Sequence, residues 1–282
     1  MQSSTNNFKS RDLISAFTFK VNNMMKTIDT KKVKPNTNFI GQNVVYFETT
    51  DSTNTVAKQN DYKDGTVVIA ESQTAGKGRM GRTWESEQNT GIYMSIVLMP
   101  DIPSHRIPML TLVSGICVCR VLTKMCDVPF KIKWPNDIVA EGKKVCGILT
   151  EGVISPNKNK AVVGIGINVA NKSFGDELSD KASSIYMLTG KVLERECIIN
   201  NLLEELEKTY TDFIEGKPFI SDYEKLCINI NRKVTFVKDG EETSGIAVNV
   251  AENGELVIKK EDGTTLNINS GEVSVRGIYG YY

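Results

Sequence analysis

Apolar residues recur along this chain in two rhythms. Between residues 39 and 225, short runs rich in Val and Ile at 66–70, 92–99, 130–134, 145–150 and 161–169 read as buried strands. Elsewhere in the same stretch the spacing is helical. Ile107, Leu110, Val113, Cys117, Val121 and Met125 share one face over 107–125, and Ile198, Leu202, Leu206, Tyr210 and Phe213 share one over 197–214. Asp51, Ser52, Thr53 and Asn54 supply N-cap residues for a further helix ending near Gln59. Strands that adjoin in sequence, with helices beside them, predict an α+β fold built on a mixed β-sheet.

The texture changes near Cys227. Short strands at 233–238, 244–250, 255–260, 264–269 and 273–278 are separated by Asp239-Gly240, Asn253-Gly254 and Asp262-Gly263. Such dipeptides favour type I′ turns, and five short strands without a helix predict a small SH3-like β-barrel over 228–282. The larger unit then covers 39–227. Residues 1–38 form a basic arm: Lys9, Arg11, Lys20, Lys26, Lys31, Lys32 and Lys34 against Asp12 and Asp29 leave +5. It reads as solvated, with one short helix over 12–25 carried by Leu13, Phe17 and Val21.

Composition narrows the function classes. Lys plus Arg and Asp plus Glu are both 34, so bulk basicity offers no argument for nucleic-acid binding. With 40% hydrophobic and 24% charged residues, the 282-residue chain is neither disordered nor collagen-like. No run of 18 apolar residues is present to span a membrane, and the first 30 residues lack the apolar core of a secretory signal. Six cysteines without a CxxC pair, beside the single His105, offer no zinc pattern. Free thiols inside apolar runs point to a reducing, cytoplasmic location. One imidazole is also a poor basis for Ser-His-Asp chemistry.

Three segments carry chemistry. In Glu71-Ser-Gln-Thr-Ala-Gly-Lys-Gly-Arg-Met-Gly-Arg-Thr-Trp84, Gly76, Gly78 and Gly81 match G-x-G-x-x-G. A dinucleotide-binding reading fails because the loop leads into a strand rather than a helix. A kinase reading fails because the chain contains neither HRD nor DFG. What remains is a glycine loop with Lys77, Arg79 and Arg82, suited to anions, and Trp84 as a flat apolar wall. The second segment is Lys131-Ile-Lys-Trp-Pro-Asn-Asp137, followed by Lys144-Val-Cys-Gly-Ile-Leu-Thr-Glu151. Lys133 at a buried strand end is costly unless an anion meets it, whereas Lys131 reads as a surface lysine. Third, two glycines inside the apolar strand Gly164-Ile-Gly-Ile-Asn-Val169 imply close approach by backbone or ligand, where Asn168 can read a base edge.

Taken in order, Ser52-Thr53-Asn54, Gly76–Trp84, Lys133–Asp137, Cys146–Glu151 and Gly164–Asn168 resemble the biotin protein ligases. Gly271-Glu-Val-Ser-Val-Arg-Gly277 resembles that family's C-terminal barrel. The resemblance implies a catalytic domain of the class II aminoacyl-tRNA synthetase-like kind. It implies that biotin and ATP, with Mg²⁺, form biotinyl-5′-AMP, whose biotin then passes to a lysine of a biotin carboxyl carrier protein. It places biotin against Ser52, Thr53, Asn54, Gln73, Gly76, Lys77, Arg79, Gly81, Lys133 and Gly147. It places the nucleotide against Lys77, Arg79, Arg82, Trp84 and Asn168, with Lys133 and Arg79 as the catalytic pair. No Mg²⁺ ligands are assignable. Lys77 stands where many members have Arg, which keeps the charge but loses a bidentate fork.

Some members carry an N-terminal winged helix-turn-helix, a unit that needs about 60 residues or more. The 38 residues before the catalytic stretch predict a form without it and without DNA binding; a homodimer is compatible with the resemblance. A lipoate or octanoate ligase or transferase of related fold, and a non-catalytic biotin-sensing regulator, stay open as alternatives.

Overall fold

The structure, a computed structural model, describes residues 26–153, 159–191, 193–238, 241–269 and 275–276. The elements run β1 (Val44–Thr50), α1 (Thr53–Gln59), β2 (Val67–Gln73), β3 (Gly91–Leu98), α2 (Leu110–Cys126), β4 (Lys131–Lys133), β5 (Asp137–Ala140), β6 (Lys143–Val153) and β7 (Lys160–Asn168). Then follow α3 (Ile185–Thr189), α4 (Arg195–Ile214), α5 (Ile220–Leu226), β8 (Arg232–Lys238), β9 (Glu241–Val250), β10 (Leu256–Lys259), β11 (Thr265–Ile268) and β12 (Val275–Arg276). The first seven strands form one sheet in the order β1-β2-β3-β7-β6-β5-β4, parallel only between β1 and β2. The mixed α+β architecture is the one the apolar rhythm predicts. Strands β1 and β5 and helices α3 and α5 escaped that reading, since they are short or only partly buried.

Strand alternation divides the sheet into two chemically different faces. One register row, Ile132, Ile138, Cys146, Ile167 and Ile92, is wholly apolar and buried in the main core under α2 and α4. The adjacent row, one residue along each strand, is Lys133, Asp137, Gly147, Gly166 and Tyr93. That second face carries α1, with Ala57 packed against Val68, Val97 and Val162. Ser104–Cys126 is long and apolar enough to cross a membrane, at a mean hydropathy of 1.6, yet 72% of its most apolar window is buried in the protein. It is a core helix here.

The arm read as solvated is fastened over residues 26–38. Its backbone runs along α4, where Glu196 accepts from the Asp29 N–H, Asn200 donates to the Lys32 carbonyl and Glu204 accepts from the Asn36 N–H. Glu207 accepts from the N–H groups of Asn38, Phe39 and Ile40. These four acceptors and donors recur at helical spacing on one face of α4. Ile28 and Val33 are buried beneath the strap. At its start, Glu71 forms a buried ion pair with Arg195 at 2.8 Å and also accepts from the Ile28 N–H. The boundary at residue 39 therefore falls inside an anchored segment. The helix read over 12–25 lies outside the described residues.

The C-terminal strands form an antiparallel sheet in the order β11-β10-β9-β8-β12. Its hairpins depart from the type I′ reading. The Gly254 N–H bonds the Ala251 carbonyl and the Ala251 N–H bonds the Glu255 carbonyl; Gly263 and Lys260 repeat this with Thr264. Only the glycines take positive φ, at 86° and 84°, so each loop has three residues: a type I turn closed by a left-handed glycine. Asn253 and Asp262 instead accept from the backbone two residues on. Asp239-Gly240 lies outside the described residues. The sheet docks on the catalytic stretch through Trp134, whose N–H donates to Asn229 at 2.8 Å and whose indole donates to the Gly254 carbonyl at 3.2 Å.

Candidate active site

The site lies on the α1 face of the sheet, where the residues pointing outward are small. Glycines 147, 164 and 166 and Ser95 leave a hollow that larger side chains would fill. A Cβ on Gly166 would sit 2.5 Å from Trp84 Cε2, and one on Gly147 would sit 2.8 Å from Trp84 Cζ3. A Cβ on Gly164 would lie 2.2 Å from Asn54 Oδ1. The close approach implied by the strand glycines is thus made by two side chains, Trp84 and Asn54.

Two cavities meet here. An inner slot of about 50 Å³ is lined by Ser52, Thr53, Asn54, Gln73, Lys77, Arg79, Trp84 and Gly147, among others. An outer cleft of about 850 Å³ is lined by Arg79, Arg82, Trp84, Lys133, Asp137, Lys144 and Asn168, with the 171–182 loop. Gly78, Arg79, Trp84, Asn136 and Lys144 line both.

The slot end is a hydrogen-bond chain. Gln73 Oε1 accepts from the Thr53 N–H at 2.8 Å, the Ser95 and Thr53 hydroxyls lie 2.7 Å apart, and Gln73 Nε2 donates to Ser86 Oγ at 2.7 Å. Ser52 holds the N-cap position of α1, yet its hydroxyl makes no cap bond. Asn54 is committed to the scaffold: its amide donates to the Leu149 carbonyl and to Glu151, and its oxygen accepts from Ser95. Burial pushes Glu151 upward, but the Lys58 ammonium at 2.7 Å and the Asn54 amide outweigh it and hold its carboxyl below the usual range.

The glycine loop folds back on itself. Lys77 pairs with Thr83, Gly78 N–H bonds the Arg82 carbonyl at 2.7 Å, and Trp84 N–H bonds the Gly76 carbonyl at 2.9 Å. A 3-10 turn at Arg79–Gly81 forms the tip, with Met80 at φ 56° and Gly81 at φ 73°. Gly76 is needed because a Cβ there would lie 2.4 Å from the Trp84 carbonyl. Arg79 Nη1 donates to Asn136 Oδ1 at 3.0 Å, and Asn136 in turn donates to the Ile148 carbonyl, tying the loop to β6. Arg79 Nη2 and Trp84 Nε1 are buried donors without an acceptor among the described residues. An unmet buried donor costs about 1–3 kcal/mol, so this is where an anionic or carbonyl ligand gains most.

The junction carries the cations Arg79 and Lys144, while the cleft lining holds five basic and five acidic side chains. Lys133 is buried and its ammonium is pushed down to about 8 by burial, with Asp137 opposing and Lys144 and Arg82 adding to the fall. Burial likewise lowers Arg79. Lys144 Nζ lies 2.7 Å from Asp137 Oδ1 and 5.2 Å from the Trp84 ring centroid. At the far side, Asn168 donates to the Ser183 carbonyl at 3.1 Å.

Of the residues singled out in the sequence, Ser52, Thr53, Asn54, Gln73, Lys77 and Gly147 line the slot, Arg79 and Trp84 line both cavities, and Arg82, Lys133 and Asn168 line the cleft. Lys133 is not among the slot residues, nor Lys77 among the cleft residues. Gly76 and Gly81 line neither and shape the loop. Sequence reasoning gave no role to Asn136, Lys144 or Ser95. The first two stood inside the quoted motifs, whereas Ser95 had no signal beyond being polar in an apolar strand. Among the described residues no group of three or more His, Cys, Asp or Glu side chains is placed to hold a metal.

Comparison with known proteins places the chain in a family. Residues 46–168 match the Biotin/lipoate A/B protein ligase family, and residues 230–276 match the Biotin protein ligase C terminal domain. The chain is 35% identical over 235 residues to the Bifunctional ligase/repressor BirA of Bacillus spizizenii, covering 80% of this chain and 72% of that protein. It is 33% identical over 216 residues to the Biotin--[acetyl-CoA-carboxylase] ligase of Mycobacterium tuberculosis, covering 74% and 79%. Biotin protein ligase from Aquifex aeolicus, solved in complex with biotin and ATP, superposes with a TM-score of 0.75 at 32% identity over 83% of this chain and 99% of that one.

Proposed function

The chain belongs to the biotin protein ligase family, and from that premise we propose how its two joined cavities divide the reaction. It is a ligase that uses biotin and ATP. The slot takes the biotin head against Ser52, Thr53 and Gln73, whose alternating donors and acceptors suit a ureido group. The cleft takes ATP, with Asn168 at the base end and Lys133, Arg79 and Arg82 toward the phosphates. The observation that carries this division is the shared wall of the two cavities. Only there can a carboxylate held in the slot reach a phosphorus held in the cleft.

The carboxylate oxygen forms a bond to the α-phosphorus as the bond to the pyrophosphate leaving group breaks, giving biotinyl-5′-AMP. Two anions must approach, and Lys133 and Arg79 offset their repulsion and the charge that develops. The slot holds only about 50 Å³, room for about one or two waters, because the Trp84 indole lies on the glycine floor. Entry of biotin lifts Trp84 and the 76–84 loop, which then closes over the adenylate and keeps water from the mixed anhydride. A lysine amine of a biotin carboxyl carrier domain attacks the carbonyl, and AMP leaves. Magnesium ion fits as a guest of the nucleotide: Asp137, Asp176 and Glu177 line the cleft without forming a closed cage, as suits an ion held largely by phosphates and water. Bound there it neutralises phosphate charge. Residues 39–227 act as the catalytic unit and 228–282 as its C-terminal support, working in the reducing cytoplasm, where the six free cysteines stay thiols.

ATP–pyrophosphate exchange by the purified chain, with biotin, lipoate or octanoate supplied separately, tests the reading. Exchange needs only the first half-reaction and no carrier. Biotin-dependent exchange that falls by about 10²-fold or more in Lys133→Ala supports it. Exchange with lipoate or octanoate alone would move the chain to the neighbouring chemistry, and none with any acid would leave a binding protein.

A further inference from the structure

Five residues line both cavities, and two of them are cations: Arg79 and Lys144. Arg79 is held by Asn136. Lys144 is placed by three independent features. Its backbone is locked, the N–H donating to the Lys181 carbonyl at 2.8 Å and the carbonyl accepting from the Ser183 N–H at 2.9 Å. Its side chain crosses the space above Gly147, with Cε and Nζ 3.2 Å from where a Cβ would stand. Its ammonium meets Asp137 at 2.7 Å and faces the Trp84 ring at 5.2 Å.

We propose that Lys144 is a further catalytic residue of the adenylation step, its ammonium contacting the oxygens of the carboxylate and α-phosphate where slot and cleft meet. The inference rests on the ligase reading above and deepens it. Lys133, buried in the cleft wall on β4, stands two strands from Gly147 in the same register row, with Asp137 on β5 between them. Lys144 is the cation poised over Gly147 itself. Its charge is matched by Asp137. When carboxylate and phosphate arrive, the ammonium donates to their oxygens while the new P–O bond forms and pyrophosphate departs with the old one. No proton or electron is exchanged with Lys144 in this step. Its contribution is charge placed where charge develops.

The alternative for the same geometry is that Lys144 only clamps the Trp84 indole, which would act on biotin binding rather than on chemistry. Lys144→Met and Lys144→Arg, made in the full chain, separate the two. Biotin affinity without ATP is measured by calorimetry, and exchange is measured at saturating biotin and Mg-ATP. The inference requires that Lys144→Met, assayed at a temperature where it is fully folded, lose about 10²-fold in kcat for exchange at saturating biotin and Mg-ATP, well beyond any loss of biotin affinity. Lys144→Arg should recover about tenfold of that loss, since charge is retained at altered geometry. Exchange within about threefold of the parent in Lys144→Met overturns the assignment, and so does a loss of biotin affinity that accounts for the whole defect. Absence of biotin-dependent exchange in the unmodified chain would instead sink the ligase reading beneath it.

Discussion

Gly147 on β6 and Gly166 on β7 are register partners, and the Trp84 indole lies across both. The pair forms a flat floor in a row that otherwise carries Lys133, Asp137 and Tyr93. A side chain at either position would collide with the ring, so the glycines set how deep the indole sits.

Gly166→Ala therefore puts a methyl group on the floor that biotin needs once the indole has lifted. Biotin-dependent exchange should show KM for biotin raised by about tenfold or more, with kcat changed less, because the floor acts on ground-state binding. The chain has two tryptophans, and Trp134 is buried at the C-terminal interface. A change in tryptophan emission on adding biotin reports Trp84 and should vanish in Trp84→Phe. Emission that still responds in that variant would place the movement elsewhere.

The Lys133 ammonium, lowered to about 8 mainly by burial, carries its charge below that pH and loses it above. In pyrophosphate exchange kcat/KM for ATP should thus fall as pH rises through about 8. Asp137 opposes the lowering, so Asp137→Asn should move this limb to lower pH. Lys133→Arg should remove the limb, whatever rate remains.

Burial pushes the Glu207 carboxyl up, but the N–H groups of Asn38, Ile40 and Phe39 outweigh it, and its folded value lies below the ordinary one. Its stabilisation of the 38–40 segment is complete above the ordinary glutamate value and is lost as pH falls through the folded one. Urea denaturation followed down the acid range should show that loss, and Glu207→Gln should flatten it. A slope unchanged by the substitution would mean that other carboxyls carry the acid response.

Breaking the buried Glu71–Arg195 pair costs more. Arg195→Met leaves the fully buried Glu71 carboxylate facing the Ile28 N–H and the Tyr46 hydroxyl without a counter-charge, a loss of about 3–5 kcal/mol by analogy with other half-removed buried pairs. Urea melts measure it, and limited proteolysis should find the 26–40 strap cleaved faster than in the parent.

Asn229 accepts from the Trp134 N–H at the end of β4 and is itself 1% exposed. Asn229→Leu orphans that N–H and should destabilise by about 1–3 kcal/mol. Since Lys133 is the next residue, exchange should fall more than stability alone accounts for, at a temperature where the variant is fully folded.

The sequence by itself determined the α+β class, the C-terminal antiparallel unit and most of the residues that meet at the site. The physical reason is periodicity. Strand alternation in Gly164-Ile-Gly-Ile-Asn168 already puts Ile165 and Ile167 on one face and the glycines with Asn168 on the other, and glycine–basic spacing marks the loop from Gly76 to Trp84. Tertiary structure decided what those glycines meet, because a strand pattern says which face a residue takes and nothing about what crosses that face. It decided that residues 26–38 are bound: the polar grips on α4 at Glu196, Asn200, Glu204 and Glu207 have the spacing of any solvated helix face until a backbone lies against them. It replaced type I′ turns by three-residue loops, since one left-handed glycine satisfies the hairpin without strain at Asn253 or Asp262. And it brought Lys144 to the wall between the two cavities, a position made by register across three strands and by a loop closing from far away in sequence.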